Sequence, residues 1–212
     1  MFTPRLPARA ARLCTVLAVA AASLAEAADP ESGNAARGRA LVASNCANCH
    51  GVQGVPTLKS YPVLSGQRPD YIAVQLTSFK NHSREDLTMS DVSAHLAAAD
   101  IRDVAAYLGA LPVPANQTAS TPAPIGERLF SRGDPGAGIP ACQSCHGSRG
   151  EGLAVAGIPR VAGQPELYVW AELEAFKASE RGKEPGNPMS VIAARLGTQD
   201  MKEVARYIAT LH

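Results

Sequence analysis

Apolar residues recur at helical spacing twice in each half of the chain. One stripe follows the spacing i, i+4 and i+7, and it consists of Ile72, Leu76 and Phe79 in the first half and of Val169, Leu173 and Phe176 in the second. A second stripe comes later, with Ile101, Val104, Ala105 and Leu108 in the first half and Met201, Val204, Ala205 and Ile208 in the second. These spacings predict the apolar faces of four helices. Strand patterns are not evident, so the predicted fold class is all-α, with helices joined by glycine- and proline-rich loops.

Residue types at the predicted helix starts agree with the stripes. Pro69 and Pro165 precede the first stripe of each half, and proline fits the first turn of a helix because its missing N–H needs no partner there. Asp100 and Asp200 stand where the second stripe begins, and a negative charge there favours the helix N-terminus. The start signals therefore occur at equivalent places in the two halves.

The halves share more than their apolar stripes. Residues 66–80 align without gaps on residues 163–177, and residues 89–111 align without gaps on residues 189–211. The offset changes from 97 to 100 residues between these segments, as small loop insertions would cause. The chain is therefore interpreted as a tandem duplication.

The N-terminus has the pattern of a secretory signal. Three arginines precede the apolar residues 13–24, and residues 25–27 offer the small-x-small pattern that signal peptidase reads. A membrane anchor is the alternative, but this stretch is shorter than the roughly 20 residues that span a bilayer as a helix. We expect export, with Cys14 lost in the cleaved segment. The predicted organisation is a signal peptide at 1–27, an N-terminal domain at 28–110, a proline-rich linker at 111–124 and a C-terminal domain at 125–212.

Composition and charge exclude two classes of protein. A chain with 46% hydrophobic and only 18% charged residues is not disordered throughout. Its formal net charge is +1 and its basic residues are scattered, so it lacks the one-signed basic face that nucleic-acid binding needs. No later segment has a long apolar run, and the mature chain is predicted to be soluble or at most peripheral to a membrane.

The four cysteines that follow the predicted signal fall into two copies of one motif. These are Cys46-Ala-Asn-Cys49-His50 and Cys142-Gln-Ser-Cys145-His146. C-x-x-C-H is the attachment signature of c-type haem. Two intervening residues place both sulfurs on one side of a helical turn, where each forms a thioether with a haem vinyl group, and the histidine binds the iron. The sequence thus predicts two covalently bound haem c groups.

Two other uses of paired cysteines compete with haem attachment. A C-x-x-C pair can form a thioredoxin-like redox site, and two pairs together can hold one zinc ion through four thiolates. A redox dithiol does not need a histidine and a glycine directly after its second cysteine. In addition, 92 residues separate the inner cysteines of the two pairs, which is more than zinc ribbons usually have. Haem attachment is the favoured interpretation.

The duplicated register points to methionine as the second axial ligand. Met89 is the only methionine in the first half of the mature chain, and it aligns with Met189. Met201 aligns with apolar Ile101, so we expect it in the core. The sequence therefore predicts that His50 and Met89 bind one iron, and that His146 and Met189 bind the other.

Some histidines remain as rivals of the methionines. His212 is at the extreme C-terminus of the second half. In the first half, His95 aligns with Arg195 and reads as a solvated helix residue, while His82 lies where the halves differ in length. A bis-histidine first haem therefore stays open.

A proline follows each motif histidine at nearly the same distance. Pro62 comes 12 residues after His50, and Pro159 comes 13 residues after His146. The carbonyl of such a proline can accept the imidazole N–H, which fixes the tautomer and raises the basicity of the ligand. A simple turn proline is the alternative, and the sequence does not separate the two.

Taken together, the paired C-x-x-C-H motifs, the two Gly-Gln turns, the two Met-Ser segments and the closing helices with Tyr107 and Tyr207 resemble the dihaem cytochromes c of the c4 type. The resemblance covers roughly residues 33–212. It implies two class I cytochrome c domains packed about a pseudo-twofold axis. It also implies a periplasmic protein, often loosely attached to the inner membrane, that passes electrons from a quinol-oxidising bc-type complex to a terminal cytochrome c oxidase.

The ligand set predicts a one-electron carrier. Methionine opposite histidine favours ferrous iron and a high potential, and with both axial positions filled no site is open for a substrate. Two alternatives belong to other classes. A haem subunit of a dehydrogenase would look the same in sequence, and a dihaem peroxidase would need one methionine to leave its iron.

Overall fold

The computed structural model describes Met1 and residues 33–114, 123–154 and 157–212. The predicted signal peptide, Cys14 and most of the predicted linker lie outside these residues. Within them the fold is helical and has no β-strand, only two isolated bridges, Asp134 with Ile139 and Leu153 with Ile158. The predicted all-α class is confirmed.

Each half contributes five α-helices to the described structure. Those of the first half are α1 (Ala35–Asn45), α2 (Ala47–His50), α3 (Pro69–Lys80), α4 (Leu87–Ala94) and α5 (Ala98–Ala110). Those of the second half are α6 (Pro124–Arg132), α7 (Gln143–His146), α8 (Glu166–Lys177), α9 (Pro188–Ala193) and α10 (Thr198–Ile208). A short 3₁₀ turn (Pro135–Ala137) lies between α6 and α7 in the segment that the first half lacks.

The first and last helices of each half pack closely because each pair meets at a glycine. A Cβ on Gly38 of α1 would stand 1.9 Å from the Asp103 carbonyl oxygen of α5. A Cβ on Gly126 of α6 would stand 2.0 Å from the Glu203 carbonyl oxygen of α10. Any larger residue would push the helices apart, so both copies of the repeat keep the same contact.

Each half has its own hydrophobic core, built from the predicted stripes. The first includes Val42, Ile72, Leu76, Leu96, Ile101, Val104, Ala105 and Leu108. The second includes Leu129, Phe130, Ile139, Val169, Leu173, Ala193, Leu196, Met201, Val204, Ala205 and Ile208. Every member of the second stripe in both halves is buried, as the spacing predicts.

The helix starts agree with most of the sequence signals. Pro69 is the first residue of α3, and the carboxylates of Asp100 and Asp200 accept the backbone N–H groups of the residues that precede α5 and α10. Pro165 instead lies one residue before α8, at its N-cap position, because its ψ of 136° is not helical. Pro124, predicted as the end of the linker, already begins α6.

A polar cluster joins the two halves where α3 and α8 approach. Nη2 of Arg84 donates to Glu172 at 2.6 Å, and its Nη1 donates to Gln75 at 2.7 Å. Arg181 donates to the other Glu172 oxygen and to the Tyr71 hydroxyl, each at 2.5 Å. Gln75 and Glu172 occupy equivalent positions, as Arg84 and Arg181 do, so the cluster follows the internal repeat. It contains two guanidinium groups and one carboxylate.

No helix within the described residues is long and apolar enough to cross a membrane.

Candidate haem sites

Each C-x-x-C-H motif forms a single helical turn. The N–H of His50 donates to the Cys46 carbonyl at 3.0 Å, and the N–H of His146 donates to the Cys142 carbonyl at 3.0 Å. A glycine ends each turn with a positive φ, 75° at Gly51 and 85° at Gly147. Such a conformation is strained for other residues, which explains why glycine follows the histidine in both motifs.

The two histidine rings are held by the predicted prolines. Nδ1 of His50 lies 3.4 Å from the Pro62 carbonyl oxygen, and Nδ1 of His146 lies 3.0 Å from the Pro159 carbonyl oxygen. A carbonyl oxygen only accepts, so each Nδ1 carries the proton and each Nε2 keeps a lone pair. Within the described part of the chain, the structure gives neither Nε2 a hydrogen-bond partner. Of the two interpretations of these prolines, the carbonyl acceptor is therefore confirmed.

Burial keeps these rings neutral. It lowers the pKa of His50 and of His146, while the hydrogen bonds to Pro62 and Pro159 act in the opposite direction. The Asp86 carboxylate also raises the pKa of His50, as the weakest of the three effects. A neutral imidazole with a free Nε2 is the form that binds a metal.

The cysteines lack the character of a redox dithiol or a zinc site. Burial raises the pKa of Cys46 and of Cys142 to about 11, whereas reactive dithiols need a lowered pKa. The four cysteines described are free of disulfides. In the described ranges, no three His, Cys, Asp or Glu residues come together to hold a metal ion, so the two motifs do not converge on one zinc.

Both predicted methionine ligands lie at the start of a short helix that packs on the core of their own half. Met89 in α4 packs against the same cluster as Cys46, and Met189 in α9 packs against the same cluster as Cys142. A side-chain cap holds each helix start. Asp86 accepts the N–H of Met89 at 2.8 Å, and Asn187 accepts the N–H of Met189 at 3.0 Å. Both methionines are half-buried.

The rival histidines are exposed, and the rival methionine is buried. His82 and His95 are exposed, and His95 caps the C-terminus of α4 near Asp91. His212 is exposed at the end of the chain. Met201 is fully buried in the second core, as its register predicts.

A buried cation supports the fit of a haem in the second half. Arg160 follows the histidine-bonded Pro159 and is only 7% exposed, and its Nη2 has no hydrogen-bond partner among the described residues. A buried unpaired guanidinium atom is costly unless an anion meets it. A haem carries two propionate carboxylates, so the residues present suit such a group.

The comparisons with known proteins agree with this chemistry. Residues 33–108 match the family described as cytochrome c oxidase, cbb3-type, subunit III, and residues 125–212 match the family described as cytochrome c. A cytochrome c4 of Thiocapsa roseopersicina is 35% identical over 187 residues, which are 88% of this chain and 97% of the relative. The chain belongs to the cytochrome c4 family. It therefore carries two covalently bound haem c groups and is an electron-transfer protein, not an enzyme.

Two further relatives show the range of the family. The crystal structure of reduced recombinant cytochrome c4 from Pseudomonas stutzeri has a TM-score of 0.80 and 32% identity, and the match covers 85% of this chain and all of that one. A protein of Thiomonas intermedia named thiosulfate dehydrogenase electron acceptor is 34% identical over 171 residues, which are 79% of this chain and 78% of the relative. The chain thus matches the whole length of a solved cytochrome c4 and most of the length of this electron acceptor.

Sequence analysis missed several residues around the two sites. Tyr61 packs edge-on against the His50 ring with ring centres 5.8 Å apart, and Ile158 stands in the corresponding place before Pro159. Gln67 and Gln164 are buried and contact the opposite half. The Gly-Gln repeat is visible in the sequence, and a glutamine kept at the same register in both halves is the signal that could have indicated a shared contact.

Proposed function

We propose that each haem is attached and ligated within one half of the chain. In the first half Cys46 and Cys49 form the thioethers, and His50 Nε2 and Met89 sulfur bind the iron. In the second half the thioethers form on Cys142 and Cys145, and the axial ligands are His146 and Met189. The single-turn motifs, the Nδ1 protons held by proline carbonyls, and the methionines packed on the same cores as the first cysteines support this set.

We further propose that the chain is a respiratory one-electron carrier, from a quinol-oxidising bc-type complex toward a terminal cytochrome c oxidase. When bound, the haem supplies an Fe(II)/Fe(III) couple. The chain's own residues hold each imidazole in one tautomer and one orientation, and the apolar cores keep water from the iron. Because these hydrogen bonds and packed cores hold the ligands in place, we expect little reorganisation on electron transfer. The observation that carries this proposal is the pair of motif histidines, each held at Nδ1 by a proline carbonyl with Nε2 left for an iron, in a chain of the cytochrome c4 family.

The test is reconstitution with purified partners. Reduction by a bc-type complex supplied with quinol, and reoxidation by a cytochrome c oxidase, are followed in the visible haem bands. We expect both reactions to be fast relative to a control without the complex or oxidase. A carrier that neither reaction turns over would contradict the respiratory assignment.

A second candidate is the electron acceptor of a dehydrogenase, and the named relative of Thiomonas intermedia favours it. Mixing the oxidised protein with a thiosulfate dehydrogenase and thiosulfate separates the candidates. Reduction faster than with the bc-type complex would favour the dehydrogenase role. Reduction only by the bc-type complex would favour the respiratory role.

We also propose that residues 1–27 are a cleaved signal and that the mature protein works in the periplasm, with domains at 28–110 and 125–212 joined by a linker. The relatives named cytochrome c4 and the small-x-small pattern at 25–27 support this. N-terminal sequencing of the mature protein checks it, and the expected first residue is Ala28.

A further inference from the structure

One peptide group follows the histidine-bonded proline of the first half, and both of its polar ends are bound. Its carbonyl, on Pro62, faces Nδ1 of His50. Its N–H, on Val63, donates to Oε1 of Gln164 at 2.9 Å, and Nε2 of Gln164 donates back to the Val63 carbonyl at 2.7 Å. Gln164 belongs to the second half. The peptide that holds the histidine of one half is therefore clamped by a side chain of the other half.

The second half repeats the arrangement in reverse. The Pro159 carbonyl accepts from His146, and the N–H of the same peptide, on Arg160, donates to Oε1 of Gln67 at 2.9 Å. Nε2 of Gln67 donates to the Arg160 carbonyl at 2.8 Å. Gln67 is 5% exposed and Gln164 is 4% exposed, so water does not compete for these hydrogen bonds. Two reciprocal clamps thus connect the histidine loops across the interface.

A peptide group transmits polarisation from its N–H to its carbonyl. When the N–H donates to an amide oxygen, the carbonyl oxygen becomes a stronger acceptor, and the effect is larger where the surroundings are dry. A stronger acceptor at Nδ1–H makes the imidazole a more basic ligand. A more basic histidine stabilises ferric iron relative to ferrous iron, and the midpoint potential falls.

We infer that Gln164 and Gln67 are positioning residues that tune the haem of the opposite half, each through the proline peptide that it clamps. The inference rests on the proposed ligands His50 and His146. It makes the contact between the halves part of the redox chemistry, because loss of that contact weakens both imidazole hydrogen bonds.

The two clamps differ in one respect. Oε1 of Gln67 also accepts the N–H of Arg68 at 3.0 Å, whereas the residue after Gln164 is Pro165, which has no N–H. Oε1 of Gln164 thus has Val63 as its one donor in the described residues. Gln164 is accordingly the cleaner position for a test.

The experiment compares Gln164→Leu with Gln67→Leu in the haem-loaded protein by spectroelectrochemical titration. The two midpoints are first assigned with Met89→His and Met189→His, each of which lowers the midpoint of its own half. We expect Gln164→Leu to raise the first-half midpoint and to leave the second-half midpoint unchanged. We expect Gln67→Leu to raise the second-half midpoint and to leave the first-half midpoint unchanged. In each case the NMR signal of the affected Nδ1 proton should move upfield, as a weakened hydrogen bond requires.

Tyr71→Phe is the matched control. It removes a hydrogen bond that Arg181 donates to the Tyr71 hydroxyl between the halves, without changing the net charge, and leaves both proline peptides untouched, so neither midpoint should move. If Gln164→Leu does not accumulate, Gln164→Asn, whose side chain is one methylene shorter, takes its place. It must likewise raise the first-half midpoint and leave the second-half midpoint unchanged.

Two failures are distinguishable. A shift confined to the half that carries the substituted glutamine, an equal shift in both halves, or no shift would overturn the inference alone. If neither Met89→His nor Met189→His shifts a midpoint away from its value in the parent protein, the ligand set is overturned and the inference with it.

Discussion

The two halves hold their histidines in the same way but surround them differently. The Nδ1 contact to the proline carbonyl is 3.4 Å in the first half and 3.0 Å in the second. In the first half the carboxylate of Asp86 acts on the His50 ring, whereas Asn187, which caps the equivalent helix of the second half, is uncharged. The first histidine also packs against Tyr61, and no described aromatic ring contacts the second.

These differences lie in the surroundings of the ligands and not in the ligands themselves. Duplication has kept the motif turns, the close helix contacts at Gly38 and Gly126, and the proline acceptors. It has changed the charges and contacts that set a haem potential. We therefore expect two haems with the same coordination and unequal midpoints.

Loss of one thioether should have the largest effect, and that effect should fall on one half of the protein. Each half is a small domain that buries a limited fraction of its surface, so the haem is needed to complete its core. Replacing Cys142 or Cys145 by Ser should abolish stable accumulation of the second half. Haem content per chain and protein yield are the measurements, with Ser144→Ala inside the same motif as the control. A well-folded Cys142→Ser protein at normal yield would contradict this.

Exchange of one methionine should change one midpoint and spare the other. Axial ligands move haem potentials over about 0.8 V, and a second histidine favours ferric iron. Met89→His should lower the first-half midpoint by a sizeable part of that range, and Met189→His should do so for the second half. Met201→Leu, a swap in the second core, serves as control and should leave both midpoints in place. Equal shifts of both midpoints after a single substitution would argue against separate sites.

The polar cluster between the halves has a carboxylate at Glu172 but an uncharged side chain at the equivalent Gln75, and variants at these two positions test that difference. Removing one partner of a buried ion pair costs about 3–5 kcal/mol. The side chains of Arg84, Glu172 and Arg181 are 13%, 20% and 11% exposed, so we expect Glu172→Gln to fall toward the lower end of that cost. Gln75→Glu supplies a second carboxylate and should stabilise the protein. Thermal unfolding of the two variants checks the opposite signs, and a Glu172→Gln protein as stable as the parent would refute the role of the cluster.

The smallest expected effect concerns Asp86. A carboxylate near the first histidine stabilises the extra positive charge of ferric iron, and solvent screens it because the side chain is exposed. Asp86→Asn keeps the helix cap and removes the charge, so the first-half midpoint should rise slightly. The second-half midpoint provides the internal control. The rise should shrink at high salt, and a rise independent of salt would point to a change in the cap instead.

Local features of this fold could be predicted from the sequence. The helical stripes, the starts at Pro69 and Asp100 and the single-turn motifs depend on neighbouring residues, and the structure has them as predicted. The sequence predicts the proline acceptors as one of two interpretations, because a proline follows each motif histidine at nearly the same distance, 12 or 13 residues.

Contacts between the halves could not be predicted in this way. Gln164 meets Val63 across 101 residues, and Arg84 meets Glu172 across 88, and no periodicity encodes which surfaces of two copies face each other. The repeat does continue past Lys80 to Arg84, which aligns with Arg181. That match indicates a shared role but not the partner.

The most direct test of the central claim is a redox titration of the purified protein, followed in the visible and near-infrared. Two one-electron steps, two haems per chain, and an iron–methionine charge-transfer band that is lost as each haem is reduced are the predicted result. A colourless protein, a missing band, or ready binding of carbon monoxide to the reduced form would contradict histidine–methionine ligation in both halves.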